Sequence, residues 1–181
     1  MTGGARWSRI TDRQRTGFKG PGAADWLRSL AFPVPQAANS WMPCAAGEGF
    51  LARLGSSEFF LDAPAAVIAK LDAARANALP GVYPVLRADA AFLLEGAGAP
   101  DILAQVCNVN FAALELNGSP IVMTLMIGVG VLVLPQQSGV GRHYRVWCDP
   151  SFGEYLEEQV RAIIAADIIE GGSSSTTGAQ S

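Results

Sequence analysis

His143 is the only histidine in the chain, and histidine is the side chain whose ordinary pKa best suits acid–base work near neutrality. It stands beside Arg142 and two residues from Arg145. Neighbouring cations favour the neutral imidazole and do not build a general base. His143 therefore reads as a surface or interface histidine. No Ser-x-x-Lys, Gly-x-Ser-x-Gly or His-Glu-x-x-His frame surrounds a nucleophile or a metal ligand. Cys44, Cys107 and Cys148 are odd in number, widely spaced and without a Cys-x-x-Cys pair. That pattern fits reduced core thiols of a cytoplasmic protein, not a disulfide framework, and one histidine with three scattered thiols does not suit catalytic zinc.

Two glycine runs, Gly20-Pro21-Gly22 and Gly96-Ala97-Gly98, invite a phosphate-cradle reading. A dinucleotide fingerprint requires glycine at its first, third and sixth positions. The sixth positions here are Asp25 and Asp101, and a carboxylate there repels a pyrophosphate. The glycines read instead as tight strand-to-helix turns. Asp25 and Asp101 fall in first helical turns, where the macrodipole alone accounts for a negative charge. Glu154, Glu157 and Glu158 form a solvated helical face, and Trp26, Trp41 and Trp147 read as core or interface aromatics. No catalytic, cofactor-binding or metal residue is assigned.

The elements that hold these residues follow from periodicity. Phe152, Tyr155, Leu156, Val160, Ile163 and Ile164 trace one face of a helix, with Asp149 as N-cap and Pro150 at the first helical position. A second helix is expected from Pro64 to Leu79, burying Val67, Ile68, Leu71, Ala74 and Ala78, with Asp62 and Pro64 at its start. Strands are expected at Phe50–Leu54 and Phe59–Leu61 across the turn Gly55-Ser56-Ser57, and at Ala91–Leu94, Pro120–Met126, Val129–Leu134 and His143–Trp147. The apolar run Ile121–Leu134 is shorter than the ~20 residues of a membrane span. Gly128 and Gly130 break it, so it reads as two buried strands.

The order strand, glycine-opened helix, two strands, Asp/Pro-opened helix occurs twice, over about 15–86 and 87–170. The fold class expected is α+β: two pseudo-repeated βαββα halves of split-βαβ, ferredoxin-like type, helices on one face of an antiparallel sheet. Residues 15–170 are expected to form one domain. Residues 1–14 read as a basic arm, and 171–181, made almost wholly of Gly, Ser and Thr, as a disordered tail.

Half of the 181 residues are hydrophobic and only 16% are charged, against about 25% charged in an average domain. That excludes a disordered chain, and a net charge of −3 speaks against nucleic-acid binding. So uncharged an exterior points to burial against another protein. Residues 1–28 carry a net +4 and the remainder −7, which suggests a basic strand reaching an acidic neighbour. Candidate interface residues are Arg9, Arg13, Arg15, Arg142 and Arg145. The first thirty residues hold no apolar signal core, so neither secretion nor a membrane is expected.

The segment Gly17-Phe18-Lys19-Gly20-Pro21-Gly22-Ala23-Ala24-Asp25-Trp26-Leu27, followed by Pro33-Val34-Pro35 and Asn39-Ser40-Trp41, resembles the sarcosine oxidase gamma subunit family. So do Ala52-Arg53-Leu54-Gly55-Ser56-Ser57-Glu58-Phe59 and Tyr144-Arg145-Val146-Trp147 with Pro150-Ser151-Phe152 and Tyr155-Leu156. The small subunit of N-methylglutamate dehydrogenase is equally similar. The resemblance covers residues 15–168 and implies a fold like the folate-binding region of the glycine-cleavage T-protein. It implies a non-catalytic subunit of a cytoplasmic heterotetramer that demethylates a secondary N-methyl amino acid. Its larger flavoprotein subunits would carry FAD, FMN, NAD and tetrahydrofolate, with no cofactor on this chain. The alternative is a free-standing small folate-binding or aminomethyltransferase-like protein. No folate-gripping carboxylate can be placed here, so no folate residue is carried over.

Overall fold

In a computed structural model the chain is described over residues 4–44, 49–75, 77, 80–139 and 141–173, with side chains as far as 167. It runs through strands β1 (Arg6–Arg9) and β2 (Gln14–Lys19), helix α1 (Ala23–Ser29), and strands β3 (Ser40–Pro43), β4 (Phe50–Arg53) and β5 (Glu58–Ala63). Helix α2 (Ala65–Arg75), strands β6 (Tyr83–Val85) and β7 (Ala90–Glu95), and helix α3 (Ala99–Val106) follow. Strands β8 (Val122–Met126), β9 (Val129–Ser138) and β10 (Gly141–Cys148) lead through a 3-10 turn at Pro150–Phe152 into helix α4 (Gly153–Ser173).

The strands form two five-stranded sheets, ordered β3-β4-β5-β2-β6 and β8-β9-β10-β7-β1. Both follow one plan. In each, an interior strand (β2 or β7) feeds a short helix, a run of three strands where the expected βαββα order had two, and a second helix. The fifth strand of each sheet comes from elsewhere in sequence: β1 pairs with β7, in register Trp7↔Leu94, and β6 with β2, in register Phe18↔Pro84. The chain accordingly divides into two compact units. One holds residues up to Arg9, Ala90–Leu114 and Met123 onward; the other holds Ile10–Asp89 and Glu115–Val122. Residues 6–9 of the expected arm are thus a sheet strand, fixed by burial of Trp7, whose indole stacks on Phe92 at 4.8 Å between ring centres.

In the second unit Phe18, Leu51, Phe59 and Leu61 meet Trp26 and Leu27 of α1 and Val67, Ile68 and Leu71 of α2. Each such side chain removed from water contributes about 1.5–3 kcal/mol against chain entropy. Strand alternation supplies one wall of this core and helical spacing the other. In the first unit the buried residues include Phe92, Leu94, Val133, Tyr144 and Val146 from strands and Ile102, Leu103, Leu156 and Val160 from helices.

The glycine turns have a steric cause. Gly20 and Gly96 sit at φ +115° and +103°. A Cβ on Gly20 would stand 2.2 Å from the Gly81 carbonyl oxygen, just before β6, and one on Gly96 2.2 Å from that of Gly4, just before β1. Each glycine lets the incoming edge strand pass against the helix entrance. Gly22 and Gly98 then act as N-caps of α1 and α3.

Several expectations are corrected. Asp62 does not cap α2; it is a fully buried residue of β5. Phe152 and Tyr155 are exposed, because Gly153 takes the packed position against Ala90 and the buried stripe continues through Leu156 and Val160. Met123 and Leu125 point outward from β8, an edge strand of its sheet, and are 56% and 62% exposed. Helix α2 is assigned to Arg75, and its expected residues Ala78 and Leu79 lie outside the described residues. Helix α4 extends to Ser173 where a tail from 171 was expected; 174–181 lie outside the described residues. Among the described residues no helix is long and apolar enough to cross a membrane.

Candidate functional site

Arg13 and Arg15 converge on one carboxylate. Residues two apart on a strand share a face, and β2 pairs with β5 so that Arg15 lies opposite Asp62. Arg15 Nη1 is 3.6 Å from Asp62 Oδ2, and Arg13 Nε is 3.9 Å from Oδ1. A buried carboxylate is tolerable only with such compensation. Beside them Arg87 donates to Glu58 at 2.9 Å, stands 4.0 Å from Asp89, and lies over the Phe60 ring. From α2, Arg75 reaches Asp72 at 3.4 Å. Arg13, Arg15, Arg75 and Arg87 together line an open cleft of about 590 Å³.

The other candidate arginines lie elsewhere. Arg9 pairs with Glu157 at 3.0 Å and sits over the Phe92 ring. Arg142 donates to the carbonyls of Phe111 (2.5 Å) and Ala112 (3.1 Å), fastening that loop to β10. Arg145 meets the Gln136 side-chain oxygen at 3.4 Å. Of the five, the structure brings only Arg13 and Arg15 together.

His143 lies 3.1 Å from the same Gln136 oxygen. Burial holds its pKa below the ordinary value, Arg145 lowers it further, and Glu95 opposes both. The neutral imidazole that the sequence suggests is thus favoured mainly by desolvation. The Cys44 thiol is pushed up to about 11 by burial, against a weaker pull from Arg13. Cys107 is also raised by burial, and Cys148 is buried. Such thiols are poor nucleophiles at neutral pH. Among the described residues no group of three or more His, Cys, Asp or Glu could hold a metal ion.

The first glycine loop does not present a cradle. Gly20 N–H donates to the Ser57 carbonyl and Gly22 N–H to that of Gly81, so the amides that would meet a phosphate are spent within the chain. Sequence reasoning missed Asp62 as a site residue. The signal was present: two arginines two positions apart, and one acid closing the apolar run Phe59-Phe60-Leu61.

No family model matches the sequence, and no curated protein matches it. Solved structures do. One is the heterotetrameric sarcosine oxidase from Corynebacterium sp. U-96, solved with pyrrole 2-carboxylate. It matches with a TM-score of 0.67 and 20% identity over 98% of this chain and 87% of that one. Another is the glycine cleavage system aminomethyltransferase T from Bartonella henselae, with a TM-score of 0.65 and 18% identity. That match covers 88% of this chain but only 46% of the transferase. The chain shares the fold of both.

Proposed function

We propose that this chain is a gamma-type, non-catalytic subunit of a hetero-oligomeric flavin-dependent complex, a sarcosine oxidase or N-methylglutamate dehydrogenase, that demethylates a secondary N-methyl amino acid. The observation that carries the reading is end-to-end likeness to a chain of similar length from a heterotetrameric sarcosine oxidase. The transferase, by contrast, is about twice as long. The complex would oxidise the N-methyl group and pass the one-carbon unit to tetrahydrofolate or release it as formaldehyde. FAD, FMN, NAD and tetrahydrofolate would sit on larger flavoprotein subunits in the cytoplasm, and this chain would hold them in place. The shared plan of the two sheets and their matching glycine turns support an origin by duplication of one half of order strand, helix, three strands, helix.

Purification of the isolated chain tests the non-catalytic part. We expect no flavin absorbance, and no heat of binding on titration with tetrahydrofolate or NAD. A stoichiometric yellow chromophore, or saturable tetrahydrofolate binding, would favour the free-standing folate protein.

A further inference from the structure

We infer that the arginine-lined cleft at the β6 edge of the second unit docks a carboxylate-bearing segment of a partner polypeptide; this rests on the subunit reading and gives it a surface. Arg13, Arg15, Arg75 and Arg87 face the cleft, against Asp72 as the acidic residue in its lining. Arg13 and Arg15 share the single charge of Asp62, which leaves a local excess of one guanidinium charge, while Arg75 is matched by Asp72 and Arg87 by Glu58 and Asp89. The contacts of Arg13, Arg15 and Arg75 with Asp62 and Asp72 are 3.4–3.9 Å long, looser than the ~2.8 Å of a charge-assisted hydrogen bond. Arg15 Nε and Nη1 and Arg87 Nε are buried without a hydrogen-bond partner among the described residues, so the guanidiniums open to a ligand are those of Arg13 and Arg75, whose side chains are 20% and 45% exposed. Planar guanidinium forks match carboxylates in bidentate fashion.

Two features select a polypeptide over a free oxyanion. The cleft, about 590 Å³, is far larger than one oxyanion requires. Its rim carries Leu86, 92% exposed, and the adjoining edge strand carries Tyr83, 56% exposed. Charged donors beside uncovered apolar surface suit an acidic segment with an apolar residue next to its carboxylates.

The test is capture of the flavoprotein subunits co-expressed from the same organism, read by size-exclusion chromatography for wild type and for Arg75→Glu/Leu86→Asp. Both substitutions fall on exposed side chains, and circular dichroism confirms folding. Arg28→Glu/Gly55→Asp, with the same charge change on other surface, is the control. The expected result is association weakened at least about tenfold, more salt-sensitive in wild type, with the control unaffected. A double variant that associates like wild type overturns the inference. If wild type captures no flavoprotein, the subunit reading fails, and the cleft is judged by fluorescence anisotropy with a labelled hexapeptide alternating glutamate and leucine. Saturable binding that the double variant loses about tenfold upholds the cleft. Equal binding to both proteins, or displacement by inorganic phosphate at matched ionic strength, overturns it.

Discussion

Asp62 is the residue on which the second unit's polar interior turns. Its carboxylate is fully buried, and Arg13 and Arg15 keep only 20% and 14% of their side-chain exposure beside it. Replacing it leaves two part-buried cations without their anion. Asp62→Asn should therefore cost about 3 kcal/mol of unfolding free energy in urea denaturation, whereas a loss under about 1 kcal/mol would place it with surface pairs. The thiols give a second outcome. Cys44, buried and raised to about 11, should resist iodoacetamide at pH 8 in the native protein, with the half-exposed Cys107 labelled first. Mass spectrometry of the alkylated peptides reads the order, and prior labelling of Cys44 would show that this core opens. His143 supplies a pH dependence. Its folded pKa lies below the ordinary 6.5, so between the two values the unfolded chain binds the extra proton. Stability associated with the neutral imidazole is complete above the unfolded pKa and declines as pH falls through the folded one. The drop in urea midpoint from pH 7 to pH 5 should be smaller in His143→Gln than in wild type. An equal drop would mean that the imidazole is not desolvated.

At the scale of elements, the glycine turns make the sharpest statement. Gly20→Ala and Gly96→Ala each force a Cβ onto a backbone carbonyl at positive φ and should lose about 2–3 kcal/mol. Gly55, with open space around it, should change by no more than about 0.5 kcal/mol as alanine. Urea denaturation of the three variants compares them, and a mild Gly20→Ala would mean that β6 need not pass so close. These turns were readable because glycine spacing and strand-to-helix order are local. The helix face of Leu156 and Val160 and the hairpin at Gly55 were readable for the same reason. The edge strands were not: β1 and β6 are short, and their pairing partners lie in another stretch of sequence. Nor was the face of β8, because a run as apolar as Val122–Met126 gives no alternation to mark Met123 and Leu125 as outward. Asp62 was misplaced because Asp-Ala-Pro reads locally as a helix start, while its partners stand some fifty residues earlier.

For the whole molecule, low charge, exposed Leu86, Met123, Leu125, Phe152 and Tyr155 and an arginine-lined cleft supply the surface that the proposed subunit role requires. The most direct measurement is native mass spectrometry of the chain co-expressed with flavoprotein subunits from the same organism. The expected result is one copy of this chain in a hetero-oligomer that carries its flavins and demethylates an N-methyl amino acid, and a complex that fails to assemble when this chain is omitted. A monomer that never enters the complex, or a fully assembled and active complex without it, would contradict the subunit role.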